Sequence, residues 1–326
     1  MSSYQQNLPT LVTEMAGKDT LCGWDVLVSY NENQINSLLQ ARASDIGMLR
    51  PLTWNVSVTG NTCRELERMT TAETPIDPFP YQVTIIIQLS NPTIQFQDST
   101  GFVTLTCPFT GTYTYFVAGK SEVTPFPAGL QLQLSTSLVN VSGSWDSNSD
   151  FQPGPNTPSP SQWVVLMDPG ADIAQAVCID FTNLTANVSN TPSGNTGEGN
   201  LATFNSWIIG FVTAHFQGVS LRYYLAGVSN QYDPNYAGSE VLQPTSFCFT
   251  VVRGDAANNS PGTLNMRIGL KGGSGQREGQ AHLVFAPNGQ EVDPIPSGNN
   301  ASVIFSHDTM ANLFLKVRYS VSLYFE

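Results

Sequence analysis

Asn205-Ser-Trp-Ile-Ile-Gly-Phe-Val-Thr-Ala-His-Phe-Gln-Gly-Val219 places Trp207, Ile208, Phe211, Val212, His215, Phe216 and Val219 at near-helical spacing. Such a wide aromatic stripe predicts a helix buried along its length, with Asn205 or Ser206 as its cap. Around it the chain reads almost wholly as strands. Leu130-Gln-Leu-Gln-Leu134 alternates strictly, so its leucines share one face and its glutamines the other. Val83-Thr-Ile-Ile-Ile-Gln-Leu89 reads as a short buried strand. Phe102 to Thr106 and Thr112 to Val117 are rich in the β-branched and aromatic residues that suit a pleated surface. Trp163 to Met167, the set Val177, Ile179 and Phe181, Phe247 to Val252 and Ala281 to Phe285 continue the series, the last ending at a Pro287-Asn-Gly289 corner. Leu264, Met266, Ile268 and Leu270 alternate with Asn265, Arg267, Gly269 and Lys271, the pattern of a half-buried strand.

Two further helices are expected. One runs from Asn31 to Ala43, with Asn31 as cap and Ile35, Leu38, Leu39 and Ile46 on one face. The other is short, starts after Ser306 and carries Met310, Leu313, Phe314 and Val317. Tyr319 to Phe325 alternates as a final strand, which either pairs in the sheet or marks a chain cut from something longer. Strands and helices do not alternate regularly, so a doubly wound fold is excluded. The expectation is an α+β, β-rich architecture: long apolar helices wrapped by strongly curved antiparallel sheets. Residues 1–20 read as a loose lead-in and 142–161 as a loop. The Asn190 to Asn200 stretch, rich in Gly, Ser, Thr and Asn, divides a subdomain over 21–190 from one over 201–326.

Composition narrows the partners. Of 326 residues 40% are apolar, so a real core is within reach, and only 12% are charged. That is about half the usual ~25%. The net charge of −12 and a pI near 4.5 repel a phosphate backbone, so nucleic acid is not an expected partner. Lys18, Lys120, Lys271 and Lys316 are scattered, and no basic cluster suits an anionic membrane. The N-terminus has no apolar signal-like run, and no segment approaches the ~18 apolar residues of a membrane span. A soluble protein, cytoplasmic or released without such a signal, is expected. Cys22, Cys63, Cys107, Cys178 and Cys248 are odd in number and widely spaced, so they read as free thiols rather than a disulfide framework. Six Asn-x-Ser/Thr triplets, among them Asn55-Val-Ser and Asn300-Ala-Ser, are what an Asn- and Ser-rich chain gives by chance.

No catalytic template fits. His215 sits on the apolar helix face and reads as a packed core histidine. His282 falls in a strand and His307 at a helix start. Metal-ligand spacing, a nucleophile elbow and a phosphate-binding loop are all lacking: Gly194 to Gly199 and Gly272 to Gly275 read as turns. Asp168-Pro-Gly-Ala-Asp172 offers either a solvated turn or two carboxylates for a cation or acid/base pair. No enzyme activity, cofactor or metal is expected.

Three stretches resemble the clostridial P-47/OrfX family: Gly23-Trp-Asp25 followed by Asn33-Gln-Ile-Asn-Ser-Leu-Leu39, the helix at Trp207-Ile208, and Ala301-Ser-Val-Ile-Phe-Ser306 with Leu313-Phe314. The resemblance implies a TULIP fold, in which a long helix is wrapped by a curved sheet and the groove between them takes acyl chains. It also implies an accessory role among toxin-cluster proteins and brings no catalytic residues. On this reading an apolar ligand such as a fatty acid or phospholipid would lie against Ile35, Leu38 and Leu39 on the first helix and Trp207, Phe211 and Phe216 on the second. Each CH₂ so removed from water contributes through about 25 cal/mol per Å² of apolar area. The same side chains would equally fill a closed core. Two other binding functions stay open: a structural or toxin-complex protein that binds another protein without lipid, through strand edges or Tyr232-Asp-Pro-Asn-Tyr236, and a lectin-like glycan binder. A hydrolase with an unrecognised site is the enzymatic alternative.

Overall fold

A computed structural model describes residues 4–42, 51–58, 81–97, 101–117, 119–146, 151–155, 158–168, 173–190, 208–216, 222–230, 242–255, 257, 260–273, 275, 279 and 284–315. Two antiparallel sheets enclose one large apolar core. The larger sheet has ten strands, with β12-β11-β7-β5-β3-β2 as its path. These are β2 (Leu52–Val58), β3 (Tyr81–Leu89), β5 (Phe102–Val117), β7 (Leu130–Trp145), β11 (Ala174–Asn190) and β12 (Arg222–Ser229). Four shorter strands join it off this path: β4 (Thr93–Phe96), β6 (Lys120–Pro125), β8 (Phe151–Pro153) and β9 (Ser159–Pro160). The smaller sheet has five strands in the order β10-β13-β14-β1-β15, namely β10 (Val165–Leu166), β13 (Pro244–Val252), β14 (Thr263–Leu270), β1 (Val26–Asn31) and β15 (Ala301–Phe305).

The larger sheet curls into a half-barrel, and β5 shows why. It is one 16-residue strand where the sequence suggests two. On one edge it pairs with β4 over Val103–Thr106 and then with β3 over Phe109–Phe116. On the other it pairs with β7 over Phe102–Pro108 and then with β6 over Thr112–Val117. Both changes of partner fall at Pro108–Gly111. Proline has no N–H for the ladder, and glycine lets a neighbouring backbone come close; together they make the line where the sheet turns. A register shift in β11 between Asp180 and Thr185 adds a second bend and turns Phe181, fully buried, into the core.

Alternation sorts the side chains. Leu130, Leu132 and Leu134 are buried while Gln131 and Gln133 are only half-buried, as the pattern predicts. Val83, Ile85, Ile87 and Leu89 are buried too, but Ile86 is 38% exposed, so β3 has one wet face rather than being buried on both. The opposite correction applies to β14, which is buried along its whole length on both faces. Its inner face, Leu264, Met266, Ile268 and Leu270, belongs to the main core. Its outer face is roofed by a second cluster of Leu11, Leu21, Trp24, Leu27, Cys248, Phe285 and Val292. Beneath that roof Ser29 Oγ donates to Asn265 Oδ1 at 2.6 Å, and Arg267 donates to Thr250 Oγ1 at 2.7 Å.

Four short helices occur among the described residues: α1 (Leu8–Met15), α2 (Glu32–Arg42), α3 (208–216) and α4 (His307–Thr309, continuing as a π-helix through Leu315). No long apolar helix is seen among the described residues, and the described part of α3 is helical throughout, over 208–216. Residues 8–15, expected within a loose lead-in, form a helix because Asn7 caps it, accepting from Thr10 N at 3.0 Å, and Leu11 seats in the roof cluster. The segment 142–161 is not one loop: β7 runs on to Trp145, and β8 and β9 pair back onto it. Of Trp163 to Met167 only Val165–Leu166 is a strand. The sheets also exchange strands across 190–201, since β1 pairs with β14 and β15 while β12 pairs with β11. The Ala281–Phe285 strand lies mostly outside the described residues, and no strand forms at 284–286. The Pro287–Gly289 corner does form, closed by Val292 N donating to Phe285 O at 3.1 Å.

Candidate functional site: a cleft over the Gly-Trp-Asp turn

The six expected groove residues fall into three environments. Ile35 and Leu39 on α2 and Phe216 on α3 are 2% exposed or less and sit in the main core. Leu38, one residue along from Leu39, is 44% exposed and faces away from it. Phe211 is half-buried, stacked on Trp54 with ring centroids 5.6 Å apart. Trp207 lies outside the described residues. His215 packs edge-on to Trp54 at 6.4 Å, the aromatic role its place on the stripe suggests. Phe216 meets Phe181 at 5.3 Å. Ile35, Leu39 and Phe216 thus present no open apolar surface among the described residues.

The positions of α2 and its neighbours are fixed by polar ties. Asn31 Oδ1 accepts from Gln34 N at 2.9 Å, the expected cap. Glu32 Oε1 accepts from Phe96 N at 2.6 Å, and the Asn36 side chain accepts from Ile94 N and donates to Ile94 O. Burial, opposed by its backbone hydrogen bonds and by Arg253, holds the Glu32 carboxyl above its ordinary range.

A cleft of about 790 Å³ opens elsewhere, between the end of α1 and the start of α4. One wall is Met15 and the turn from Gly17 to Gly23; the other is Phe305, Ser306, His307 and Asp308. The half-buried Met15 and Phe305 are its apolar side chains, Leu21 and Trp24 lying behind them in the roof cluster, and its polar lining comes from Lys18, Asp19, Thr20, Ser306, His307 and Asp308. The turn is tight: Cys22 and Gly23 both have positive φ, 51° and 83°, and Trp24 N donates to Leu21 O at 3.1 Å. This drives Trp24 inward, where it is 0% exposed. Its indole Nε1–H is buried and has no acceptor.

Asp25 holds the two walls together. Oδ2 accepts from Leu270 N at 2.7 Å and Gly275 N at 3.2 Å, and Oδ1 accepts from Thr309 Oγ1 at 2.9 Å. Its carbonyl accepts from Ser306 N at 2.9 Å. Gly273 lies so close that a Cβ there would collide with the carboxylate. The glycine-rich turn at 272–275 is thus a socket for Asp25, a role its spacing did not disclose. The Ser306 hydroxyl donates to Thr309 Oγ1 at 2.7 Å while accepting from Thr309 N, which is a helix cap and not a nucleophile paired with a base.

No family model matches the chain. No curated protein matches it either. In fold it is similar to two clostridial P47 proteins. P47 from Clostridium botulinum A2 aligns with a TM-score of 0.49 and 14% identity, over 92% of this chain and 55% of that one. P47 of Clostridium botulinum E1 aligns with a TM-score of 0.44 and 11% identity, over 90% of this chain and 54% of that one. A lipopolysaccharide binding protein aligns with a TM-score of 0.27 and 10% identity, over 89% of this chain and 59% of that one. The P47 proteins are of the family that the Gly23-Trp-Asp25 and Ala301 to Ser306 stretches resemble. This chain spans little more than half the length of each of the three.

Among the described residues no group of His, Cys, Asp or Glu is placed to hold a metal ion. None of their helices is long and apolar enough to cross a membrane. Asp172, the Gly194 to Gly199 turn, His282 and Tyr232 to Tyr236 lie outside the described residues.

Proposed function

We propose that this protein is a non-enzymatic binder of an amphiphilic ligand, with an apolar part and a polar end, and that the cleft beside Trp24 is the site. The observation that carries the reading is the cleft itself. Its volume of about 790 Å³ lies within the range of roughly 300–1,000 Å³ usual for small-molecule pockets. Met15 and Phe305, both half-buried, give an alkyl chain somewhere to leave water, at about 25 cal/mol per Å². Lys18, Asp19 and Asp308 give the polar end mixed charges to meet, and His307 adds a polar ring. The commitment of the Ser306 hydroxyl to Thr309 supports binding over hydrolysis. The fatty acid or phospholipid expected from the sequence fits this chemistry, at a different place from the α2 and α3 faces.

Native mass spectrometry of protein purified from cells tests this, with uptake of a fluorescent fatty acid by a delipidated sample as the second arm. A bound amphiphile mass, or saturable uptake competed by unlabelled ligand, is expected. Neither being seen would remove the reading.

A second reading, a protein-binding module without lipid, draws on α1. Leu8 and Val12 stand one helical turn apart on its outer side, 55% and 57% exposed, and lead towards Met15 at the cleft. A toxin-cluster protein as that partner is part of this second reading.

A further inference from the structure

We infer that residues 4–15, an extended lead and α1, form a strap that lifts off the small sheet as one unit, carrying Met15 out of the cleft wall, and that charge on Asp293 drives it open. The inference stands apart from what the cleft binds. Tyr4 bridges to Val292, and two backbone hydrogen bonds cross the seam: Asp293 N donates to Tyr4 O at 3.0 Å and Ser297 N to Gln6 O at 2.7 Å. The side chains there are poorly matched. Gln5 Nε2, Gln6 Oε1 and Glu14 Oε2 on the strap are buried and make no hydrogen bond, and the same holds for Glu291 Oε2 and Asp293 Oδ2 on the segment it lies along. Gln5 comes close to Asp293 but short of hydrogen-bond geometry. Unpaired buried polar atoms favour any motion that returns them to water, and lifting the strap does so for all five. Apolar packing opposes this only weakly. Leu8, Leu11, Val12 and Met15 fall at i, i+3, i+4 and i+7 on one helical stripe, yet Leu11 alone among them is buried.

The seam is also acidic. Its carboxyls are Glu14 on α1 and Glu291 and Asp293 across from it, and Tyr4 adds a phenol. Burial raises the Glu291 carboxyl, opposed by the terminal ammonium. Burial likewise pushes Asp293 up to about 7, opposed by the bond from Ile295 N and by Gln5. With the strap closed, Asp293 holds its proton. With the strap lifted, it meets water and releases the proton near its ordinary 3.8. Deprotonation therefore favours the lifted form, and the bias grows until pH passes about 7 and then levels off.

Hydrogen–deuterium exchange of the full chain, read at single amides and corrected for the intrinsic rate at each pH, tests this. Leu11 N donates to Asn7 O within the strap, whereas Asp293 N and Ser297 N donate to it from outside. One lifting motion should free all three amides with the same opening constant and little dependence on low urea, while the β14 amides wait for global unfolding. That shared constant should rise about tenfold from pH 6 to 8, and Asp293→Asn should hold the rise below about threefold. Leu11 exchanging far faster than Asp293 and Ser297 would mean that α1 frays alone. All three exchanging with β14 would mean that no separate unit exists. Either result overturns the inference, as does a pH rise that Asp293→Asn leaves intact. Should that variant not fold, the unmodified protein decides: a shared constant that stays flat from pH 6 to 8 overturns it.

Discussion

Thr309 donates its hydroxyl to Asp25 Oδ1 at 2.9 Å, a contact between residues 284 positions apart. With Leu270 N and Gly275 N on the other oxygen, Asp25 fastens the first strand of the small sheet to its neighbour β14 and to the α4 start. Hydrogen bonds contribute about 0.5–1.5 kcal/mol each, and leaving a buried partner unpaired costs about 1–3 kcal/mol. Asp25→Asn can keep its oxygen on the two backbone donors but turns an amide N–H towards the Thr309 hydroxyl, and is expected to lower the unfolding free energy by about 1–3 kcal/mol in urea titration. Gly273→Ala, which thrusts a methyl group at the same carboxylate, is expected to act in the same direction.

Adjacent leucines on α2 should behave oppositely. Leu39 is 0% exposed in the core and Leu38 is 44% exposed. Leu39→Ala is expected to cost about 2–5 kcal/mol and Leu38→Ala less than about 1 kcal/mol, measured by denaturant unfolding. Equal small effects would mean that Leu39 lines open space.

Asp293 makes stability fall as pH rises. Burial, opposed by its hydrogen bond from Ile295 N, pushes its carboxyl from 3.8 up to about 7. The folded state then holds a proton that the unfolded chain has released. The advantage is complete below about pH 4 and is lost as pH rises through about 7, so this group's contribution to stability declines across that window. Asp293→Asn should flatten the decline, as read from urea midpoints at pH 4.5 and 8.

The thiols should divide by accessibility. Cys22 is exposed, whereas burial pushes the Cys107 and Cys248 thiols up to about 12. Among these three, only Cys22 is expected to react with a disulfide reagent at pH 8 before unfolding. Rapid native modification of Cys107 or Cys248 would contradict their packing.

The sequence disclosed what is local. Alternation at Leu130 to Leu134, the Asn31 and Ser306 caps, the Pro287–Gly289 corner and the antiparallel β-rich class all follow from short-range geometry. It misjudged what depends on distant partners. The α3 stripe marked a helix, and 208–216 are helical, but periodicity did not show that its face splits between core and half-buried positions. Asn265, Arg267 and Gly269 looked solvent-facing because nothing in β14 announces the roof that α1 and Phe285–Val292 place over them. The cleft was illegible for the same reason. Gly23-Trp-Asp25 stood out, yet its partners at 270–275 and 305–309 lie far along the chain, and no periodicity links them. The groove residues were chosen by apolar periodicity, which marks a filled core as readily as an open one.

The central claim is that an amphiphile binds over Trp24. A crystal structure of the protein with N-methyldecanamide brominated at the chain end tests it most directly, because anomalous scattering fixes the bromine. The account predicts bromine density beside Met15 and Phe305. Bromine along Phe211 and Phe216 instead, or no ordered bromine at saturating probe, would contradict it.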